Sequence, residues 1–334
     1  GCFFPSRAYL FVFTLKCLLM FSDTDVNANM MSMLDFRYWR CVMKREWKCP
    51  DSEINFYLYT PERPYKQWID VRHIQLLPKF GWKLTRKNVF IIHGFNGTHS
   101  KTPMSNLRDA YLWRKDYNVF TVDWADLSRF PCYLSALSNM RLAAQCTAQL
   151  YSYLTLNGAT AKMITCVGHS LGAHVCGMMS SHLTKKQYKI IGLDPARPLV
   201  SEFGSSQFRL GRDDAHVVQV VHTNAGFLGE SGLIGHVDFC VNGGRLQPGC
   251  KGHFMRVARC SHFMSSCYFA ASIRRRVRMI GVPCDSSCPK QGRWRITDAA
   301  SKAVRIGDDI PLNCTARGAV LGRVISFPKI RERH

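Results

Sequence analysis

The stretch Ile164–Gly177, ITCVGHSLGAHVCG, contains a G-x-S-x-G pentapeptide centred on Ser170. Such a motif carries a nucleophile when a strand precedes it, a sharp turn holds the serine and a helix follows. The preceding segment, Met163–Val167, is apolar and rich in β-branched residues, which predicts a strand. In the following segment, Leu171–Leu183, apolar residues recur at helical spacing without a proline. The context therefore predicts that Ser170 stands on a sharp turn at the carboxyl end of a strand.

Strand-like and helical segments alternate along the first two thirds of the chain. Further strands are predicted at Ile54–Thr60, Val89–His93, Tyr117–Trp124, Tyr188–Asp194 and Val217–Thr223, and an amphipathic helix at Asn139–Leu154. This alternation predicts an α/β fold with a mostly parallel central sheet and helices on both faces. Chemistry in such folds gathers at the carboxyl ends of the strands, where His93, Ser170 and Asp194 lie. Beyond about residue 225, glycine-rich turns and clustered cysteines predict surface loops.

Length, composition and charge restrict the class of protein. The 334 residues, 46% of them hydrophobic, suffice for one large domain or two small ones. The net charge of +22 indicates either an anionic partner, such as a phospholipid surface or a heparin-like glycan, or simply a solvated basic face. The densest basic run, Arg274–Arg278, lacks interleaved aromatic residues, and no zinc-finger or RNA-binding motif occurs. A nucleic acid is therefore not expected as a partner.

The amino-terminal segment and the cysteines indicate export. Ala8–Phe21 is apolar except for Thr14 and Lys16 and follows Arg7, and Val26–Ala28 fits a cleavage site. Residues 1–28 are therefore predicted to be a secretory signal, with a signal anchor as the alternative. Residues 29–334 would then be the secreted chain. Fifteen cysteines predict disulfides. Asn96 and Asn313 lie in N-x-T glycosylation acceptors.

Some pairings of the cysteines can be proposed from the sequence. We predict bridges between Cys284 and Cys288, as a tight turn, and between Cys240 and Cys267. Zinc is the alternative for the first pair, although no second pair at matching spacing lies nearby. Cys166 and Cys176 flank the serine turn on core-facing elements and are predicted to be buried free thiols.

A serine hydroxyl needs a base within hydrogen-bond reach and an acid that orients the base. In folds of this type the acid and then the histidine follow the serine along the chain. Asp194 ends a strand and is the candidate acid, the alternative being a turn or helix-capping role. From the residues alone, the base could be His262, His236 or His253. His262 is favoured because it lies between two cysteines that could fix its loop. The N–H groups of Phe95 and Leu171 are the candidate donors to a developing oxyanion.

Eight motifs extend this pattern over roughly residues 45–327. They are IIHGF (91–95), VDW (122–124), VGHSLGAH (167–174), GLDPARP (192–198), VVHTN (220–224), GHVDF (235–239), NGGRLQPGC (242–250) and CSHF (260–263). In this order they resemble the pancreatic lipase family of secreted serine lipases and phospholipases A1. The resemblance implies an α/β-hydrolase fold.

The resemblance also implies roles for particular residues. It assigns Ser170 as nucleophile, Asp194 as acid, His262 as base, and the N–H groups of Phe95 and Leu171 as oxyanion donors. It places a lid between Cys250 and Cys260, which it joins in a disulfide, and the lid residues expected to meet a lipid surface are Lys251, Phe254, Met255, Arg256 and Arg259. Only nine residues, Lys251–Arg259, separate the two cysteines, and the neighbouring loop Ala225–Ile234 is also short. The family's phospholipases A1 shorten both loops, whereas its triacylglycerol lipases keep both long.

The sequence departs from the family in two respects. It has no match to the carboxyl-terminal β-sandwich domain of the family lipases, so colipase is not expected as a partner. Gly211 stands where calcium-binding members have an acidic ligand, and only Asp214 remains. We therefore expect no metal and no cofactor, and an activity that does not require calcium.

The expected function is that of a secreted lipolytic serine hydrolase that cleaves carboxylic esters of glycerolipids through an acyl-enzyme. Its substrate would lie in a membrane, lipoprotein or emulsion surface, and phospholipase A1 activity is favoured. A triacylglycerol or galactolipid lipase is the first alternative. A non-catalytic lipid-binding or yolk-type protein is the second, although such proteins usually lose a member of the triad.

Overall fold

The computed structural model describes residues 41–274, 280–283, 288, 304–307 and 318–323. The predicted secretory signal at 1–28, Cys284 and the glycosylation acceptor Asn313 lie outside the described residues. Asn96 lies within them, in the turn that follows the second predicted strand. None of the helices in the described ranges combines the length and apolar character needed to cross a bilayer.

The described residues form a sheet of eleven strands. They are β1 (Asn55–Tyr59), β2 (Gln67–Ile69), β3 (Lys87–Ile92), β4 (Tyr117–Asp123), β5 (Ile164–His169), β6 (Gln187–Leu193), β7 (Ala215–His222), β8 (Val237–Cys240), β9 (Ile280–Pro283), β10 (Val304–Arg305) and β11 (Gly318–Arg323). Their order across the sheet is β10-β9-β11-β8-β7-β6-β5-β3-β4-β1-β2. The strands from β4 to β11 in this order are all parallel, and antiparallel pairs continue the sheet at both edges. The predicted α/β-hydrolase architecture with a mostly parallel sheet is confirmed.

The described ranges contain five α-helices: α1 (Met104–Arg114), α2 (Tyr133–Leu156), α3 (Leu171–Met178), α4 (Val200–Phe203) and α5 (Phe254–Ile273). Successive side chains of β3 point to opposite faces because a strand is pleated. Phe90 and Ile92 join the core beneath α2 and α3, whereas Val89 and Ile91 join the core beneath α1 and α5. All four side chains are buried, which explains why this strand reads as a continuous apolar run rather than an alternating one.

The predicted helices differ from the observed ones at their ends. The helix predicted to start at Asn139 starts at Tyr133 instead. The helix after Ser170 ends at Met178 and continues as a 3₁₀ turn, Met179–His182, where the Ser180 hydroxyl donates to the Gly177 carbonyl. A side chain that bonds the backbone of the preceding turn in this way competes with regular helical bonding.

The prediction of surface loops beyond residue 225 is wrong for α5. This helix has buried residues along most of its length and packs against α1. Its apolar pattern is interrupted in the sequence by serines that are nevertheless buried. The hydroxyl of Ser265 donates to the His262 carbonyl at 2.9 Å, and that of Ser272 donates to the Phe269 carbonyl at 2.6 Å. Because the helix itself satisfies these hydroxyls, they can be buried at little cost.

Five disulfides have both cysteines among the described residues. The predicted Cys250–Cys260 bridge is present. Cys41–Cys132 and Cys49–Cys146 attach the amino-terminal segment to the start and middle of α2, and the remaining two are Cys166–Cys176 and Cys240–Cys288.

Three predictions about cysteines are therefore wrong. Cys166 on β5 and Cys176 on α3 are not free thiols, because the close approach of helix to strand brings their Cα atoms to 5.8 Å. Cys288 bonds Cys240 rather than Cys284. The turn at Gly244 lies against both the Cys288 sulfur and the Cys240 side chain, so these two cysteines meet beside it. Cys267 is also disulfide-bonded, but not to Cys240. Pairing follows proximity in the fold, which spacing along the chain does not reveal.

Candidate active site

Ser170 occupies the sharp turn between β5 and α3. Its backbone has φ 57° and ψ −123°, a conformation that non-glycine residues rarely adopt and that costs about 1–3 kcal/mol. The surrounding structure holds this conformation, since the Ser170 N–H donates to the carbonyl of Leu193 on the neighbouring strand at 3.1 Å. The strand–turn–helix predicted for the pentapeptide is thus observed.

The glycines on either side of Ser170 allow α3 to lie directly against the sheet. A Cβ atom on Gly168 would overlap the carbonyl group of Gly172, and one on Gly172 would overlap the carbonyl oxygen of Ile92. On the other side of the turn, a Cβ on Gly94 would lie 2.5 Å from the Cβ of Ser170. Close backbone approach therefore requires glycine at all three positions.

Asp194 follows β6, the strand beside β5. The parallel register places Leu193 opposite His169, so Asp194 and Ser170 end neighbouring strands at one edge of the sheet. The Asp194 side chain is fully buried, and its Oδ1 accepts the N–H groups of Thr223 at 2.8 Å and Asn224 at 3.0 Å. These two bonds fix the carboxylate and leave Oδ2 directed at a different partner.

That partner is His262, whose Nδ1 donates to Asp194 Oδ2 at 2.6 Å. A histidine that donates from Nδ1 has Nε2 available as a proton acceptor. His262 is the ninth of the twenty residues of α5 rather than part of the loop expected from its flanking cysteines. Of the other candidate bases, His236 accepts the Val218 N–H at its Nδ1, and His253 is exposed at the start of α5. Only His262 of the three meets the carboxylate.

His169, which the sequence did not single out, connects the serine turn to α5. Its Nε2 donates to the His262 carbonyl at 3.1 Å, and the two rings lie 4.6 Å apart between centroids. Its other neighbour is the ring of Phe263, at 5.2 Å. Burial lowers the pKa of His169 well below its ordinary value, so this imidazole is neutral. The only sequence signal was its place beside Ser170.

The loop that carries Phe95 is held in place by His93. Nδ1 of His93 lies 2.9 Å from the Gly94 carbonyl oxygen, and the indole N–H of Trp124 donates to the His93 carbonyl at 2.9 Å. Asp123 contacts both His93 and His99. Burial opposes ionisation of Asp123, but these hydrogen bonds outweigh it and hold its pKa below the usual range. The loop is therefore anchored by a charged group.

The predicted oxyanion donors lie on either side of Ser170. A Cβ on Gly94 would be 3.0 Å from the Ser170 hydroxyl oxygen, so the Gly94–Phe95 peptide runs alongside that hydroxyl. Leu171 is the first residue of α3, where N–H groups have no acceptor within the helix. The N–H of Asn96 is already donated to the Ser128 carbonyl at 2.7 Å, whereas the hydrogen bonds of the described residues include none from the Phe95 N–H.

The predicted lid is a short turn followed by helix. Only Lys251–His253 precede α5, and Phe254–Arg259 already belong to it. Phe254 and Met255 are 54% and 52% exposed, and the Phe254 ring meets the edge of Phe227 at 5.1 Å. The lid residues thus form a fixed apolar and basic end of a helix next to the loop that follows β7.

A buried ion pair lies behind the site. His222, the last residue of β7, places Nε2 at 2.9 Å from Asp238 Oδ1 and Nδ1 at 3.1 Å from the Glu230 carbonyl oxygen. Burial opposes the charge of His222, but the hydrogen bond that Nε2 donates to Asp238 prevails and raises the pKa of the imidazole. Because the next residue, Thr223, donates to Asp194, this pair supports the backbone that fixes the acid.

Asp214, at the position discussed for calcium, makes bonds within the chain. Its Oδ2 accepts the Gly211 N–H at 2.8 Å, and its Oδ1 lies 3.1 Å from the Ser180 hydroxyl oxygen. Within the described ranges, no group of three or more His, Cys, Asp or Glu side chains is arranged to hold a metal ion. Independence from calcium stays a prediction.

The mostly parallel sheet, the serine turn at the end of β5 and the histidine–carboxylate pair beside it define an α/β hydrolase. The family model named Lipase matches residues 20–291 of the chain. The chain belongs to the lipase family.

Named relatives agree with this assignment. Phospholipase A1 of Vespula maculifrons is 34% identical over 256 residues, which cover 72% of this chain and 84% of that protein. Lipase member H-B of Xenopus laevis is 32% identical over 81% of this chain, and pancreatic lipase-related protein 2 of Mus musculus is 29% identical over 87%. The match spans 58% of the length of the Xenopus protein. Together the family and these relatives support a lipolytic carboxylic ester hydrolase.

Solved structures add less. A putative hydrolase of the α/β superfamily from Xanthomonas campestris covers 43% of this chain, and 76% of its own, at a TM-score of 0.33 and 18% identity. Est1E from Butyrivibrio proteoclasticus, with ferulic acid bound, covers 51% of this chain and 74% of its own at a TM-score of 0.31 and 13% identity. Scores this low carry no argument about function.

Proposed function

We propose that the protein is a secreted serine hydrolase of the phospholipase A1 type, which cleaves the sn-1 ester of glycerophospholipids through an acyl-enzyme. The bridges of the described residues fit an oxidising compartment. Ser170 is the nucleophile, His262 the base and Asp194 the acid that orients it.

In the first half of the reaction, the Ser170 oxygen bonds the ester carbonyl carbon while its proton passes to Nε2 of His262. The negative charge on the carbonyl oxygen is stabilised by the N–H groups of Phe95 and Leu171. The bond to the glycerol oxygen then breaks, and this oxygen takes the proton from His262 and leaves as a lysophospholipid. In the second half, water gives a proton to His262 and its oxygen bonds the acyl carbon. The bond to the Ser170 oxygen then breaks, and this oxygen takes the proton back from His262 as the fatty acid leaves.

The observation that carries the proposal is the 2.6 Å bond between His262 and Asp194, at the edge of the sheet where Ser170 ends the neighbouring strand. His169 joins the turn of Ser170 to the backbone of His262, which sets the two elements against each other. A buried carboxylate that holds the imidazole by Nδ1 leaves Nε2 for proton transfer, as this mechanism requires.

The substrate class rests on the segment between Cys250 and Cys260. Its residues from Phe254 onward are helical, so no long flap can fold across the site. The exposed Phe254 and Met255 are adjacent, with Lys251 before them and Arg256 after them, a composition suited to a phospholipid headgroup surface. Relatives named phospholipase A1 align over most of their length, which agrees with this choice.

Covalent labelling together with positional analysis of products tests the proposal. A fluorophosphonate should label Ser170, and phospholipid with different acyl chains should release the sn-1 chain. Ser170→Ala should lose both properties, with a rate decrease of about 10⁴-fold or more. Ser181→Ala, an exposed serine beyond α3, should retain them.

Release of the sn-2 chain would contradict the phospholipase A1 assignment, and a strong preference for triacylglycerol emulsions would contradict it as well. Labelling of a serine other than Ser170 would contradict the proposed triad.

A further inference from the structure

Two arginines from different segments meet at the tip of the loop that follows β7. Arg197, after β6, donates from Nη1 to the Gly226 carbonyl at 2.8 Å. Arg245, after β8, packs its guanidinium against the same residue, with Nη2 3.1 Å from where a Cβ on Gly226 would lie. Gly226 has φ 85°, so glycine is favoured there both by the backbone and by the close guanidinium.

Neither guanidinium has an acidic partner within the described ranges of the chain. Glu230, the acid of the same loop, uses its Oε1 to accept the N–H groups of Ser231 at 2.7 Å and Gly232 at 3.0 Å. Two positive charges that converge without a counter-charge repel each other, and an anion bound between them removes this repulsion. The arrangement therefore favours an anionic ligand.

The two side chains are held in place by their surroundings. The Arg245 guanidinium lies 5.6 Å from the centroid of the Phe227 ring, and the Arg245 carbonyl accepts the Asn224 side-chain amide at 2.8 Å. The backbone of the loop is tied to the segment of Arg245 by the bond from the Ala225 N–H to the Gly244 carbonyl at 2.7 Å. The guanidinium groups thus need little ordering when an anion binds.

This arginine pair adjoins the proposed catalytic site. Asn224 donates its N–H to Asp194, and Gly229, at the other end of the loop, lies against the Asp194 carboxylate. Phe227 at the tip contacts Phe254, which precedes His262 by eight residues of α5, or about 12 Å of helix. The arginines therefore lie at the rim, between the triad and the exposed start of α5.

We propose that Arg197 and Arg245 form a binding site for the phosphate group of a glycerophospholipid whose sn-1 ester lies at Ser170. The planar guanidinium offers paired donors that match phosphate oxygens, which makes arginine well suited to this group. The assignment rests on the proposed phospholipase A1 function. The arginine pair would then determine specificity, because an ester without a phosphate group has no phosphate oxygens to accept hydrogen bonds from these guanidinium groups.

Paired substrates test this site. Dihexanoylphosphatidylcholine, kept monomeric, and dihexanoylglycerol carry the same acyl chains and differ in the phosphate headgroup. For Arg197→Gln and Arg245→Gln we expect the KM for the phospholipid to rise about 10-fold each, and more in the double variant. The kcat/KM for dihexanoylglycerol should stay unchanged. Arg72→Gln, an exposed arginine paired with Asp70, should change neither.

Inorganic phosphate provides a second arm. It should compete with the phospholipid in the parent protein and lose this effect in the double variant, while leaving dihexanoylglycerol hydrolysis unaffected. Competition that persists in the double variant would place the phosphate site elsewhere. Protection against thermal unfolding by phosphate, without any change of phospholipid KM in the variants, would mean that the arginines bind free phosphate and not the headgroup.

The paired substrates distinguish the headgroup site from the proposed hydrolase activity. If the parent hydrolyses the phospholipid and the arginine variants keep its KM, the headgroup site is wrong and the phospholipase assignment stands. If the variants lose both substrates equally, the arginines act on the fold and the inference is overturned. If the parent hydrolyses dihexanoylglycerol but not the phospholipid, the proposed substrate class itself is wrong, and the site falls with it.

Discussion

The turn at Ser170 and the helix that carries His262 contribute residues to the same candidate site, yet they are built in different ways. The turn is local: a strand, a serine and a helix follow one another, and glycines allow close contact. Helix α5 reaches the site only because the sheet, the bond to Asp194 and a disulfide position it. The geometry of the serine turn depends on close backbone packing among a few neighbouring residues. The position of α5 depends on contacts between segments that are distant in the sequence.

The two regions even contain matched disulfides. Cys166–Cys176 bridges β5 to α3, Cys250–Cys260 bridges the lid turn to α5, and both close loops with a sequence separation of 10. The loop-closure contribution to stability is therefore equal in the simplest account. Any difference between them must come from the folded state, which makes the pair a direct way to compare the regions.

The largest effect is expected from Gly172→Ala in the serine turn. The added Cβ would overlap a backbone carbonyl of β3, which cannot move as the end of a flexible side chain can. The loss of stability should exceed the ~1–3 kcal/mol typical of overpacking. Secreted yield and thermal unfolding measure it. Gly211→Ala is the control, because nothing lies within 4 Å of its added Cβ and its φ is −145°. Equal stability of the two variants would contradict the local account.

Much of the first region was predictable from the sequence, because its geometry is recorded in consecutive residues. The short apolar run, the glycines and the helical spacing predicted the turn, and Asp194 followed from its place at the end of the next strand. The second region was misread as loops, since buried serines such as Ser261 and Ser265 resemble surface residues until the fold supplies their partners. His169 and the cysteine pairing were missed for a related reason, as both depend on which segments meet in space.

The next effect concerns the His222–Asp238 pair behind the site. At a pH below the folded-state pKa of His222, Asp238→Asn should destabilise the protein by about 3–5 kcal/mol, because it leaves a buried imidazolium without its counter-charge. The folded-state pKa of His222 is raised, so its stabilising contribution is present at acidic pH and is lost as the pH rises through that pKa. The difference in unfolding free energy between parent and variant should therefore shrink toward alkaline pH.

Chemical denaturation over a pH series measures this difference. The double variant His222→Gln/Asp238→Asn should recover part of the loss, since it removes both charges together. A difference that grows with pH would show that the imidazole is not the charged partner.

The two disulfides of equal sequence separation should differ in their effect on stability. Removing either bridge should cost about 2–4 kcal/mol through the unfolded chain. Cys166→Ala/Cys176→Ala should cost more than Cys250→Ala/Cys260→Ala, because the first pair is completely enclosed by core and leaves a cavity, whereas Cys250 borders solvent. The second variant should instead loosen the start of α5. Thermal unfolding measures the stability, and hydrogen exchange over residues 251–259 measures the loosening. A larger loss for the lid pair would reverse the comparison.

The smallest effect in energy, and the most informative, concerns His169, which joins the two regions. His169→Phe keeps a ring against Phe263 and His262 but removes the donor to the His262 carbonyl. That carbonyl still accepts the Ser265 hydroxyl at 2.9 Å, so the variant should fold with nearly parental stability. The turn of Ser170 would no longer be tied to α5, and displacement of the base by a fraction of an ångström is enough to slow proton transfer. We expect kcat on a soluble ester to fall by about 10-fold to 100-fold with little change in KM, because a misplaced catalytic group affects the reaction more than the binding.

The rate of fluorophosphonate labelling should fall in parallel, and His169→Gln, which can donate an N–H, should recover part of both rates. If kcat is unchanged in the phenylalanine variant, α5 is positioned by Asp194 and its disulfide alone; if the loss of kcat tracks a loss of stability, the histidine serves the fold and not the geometry of the site.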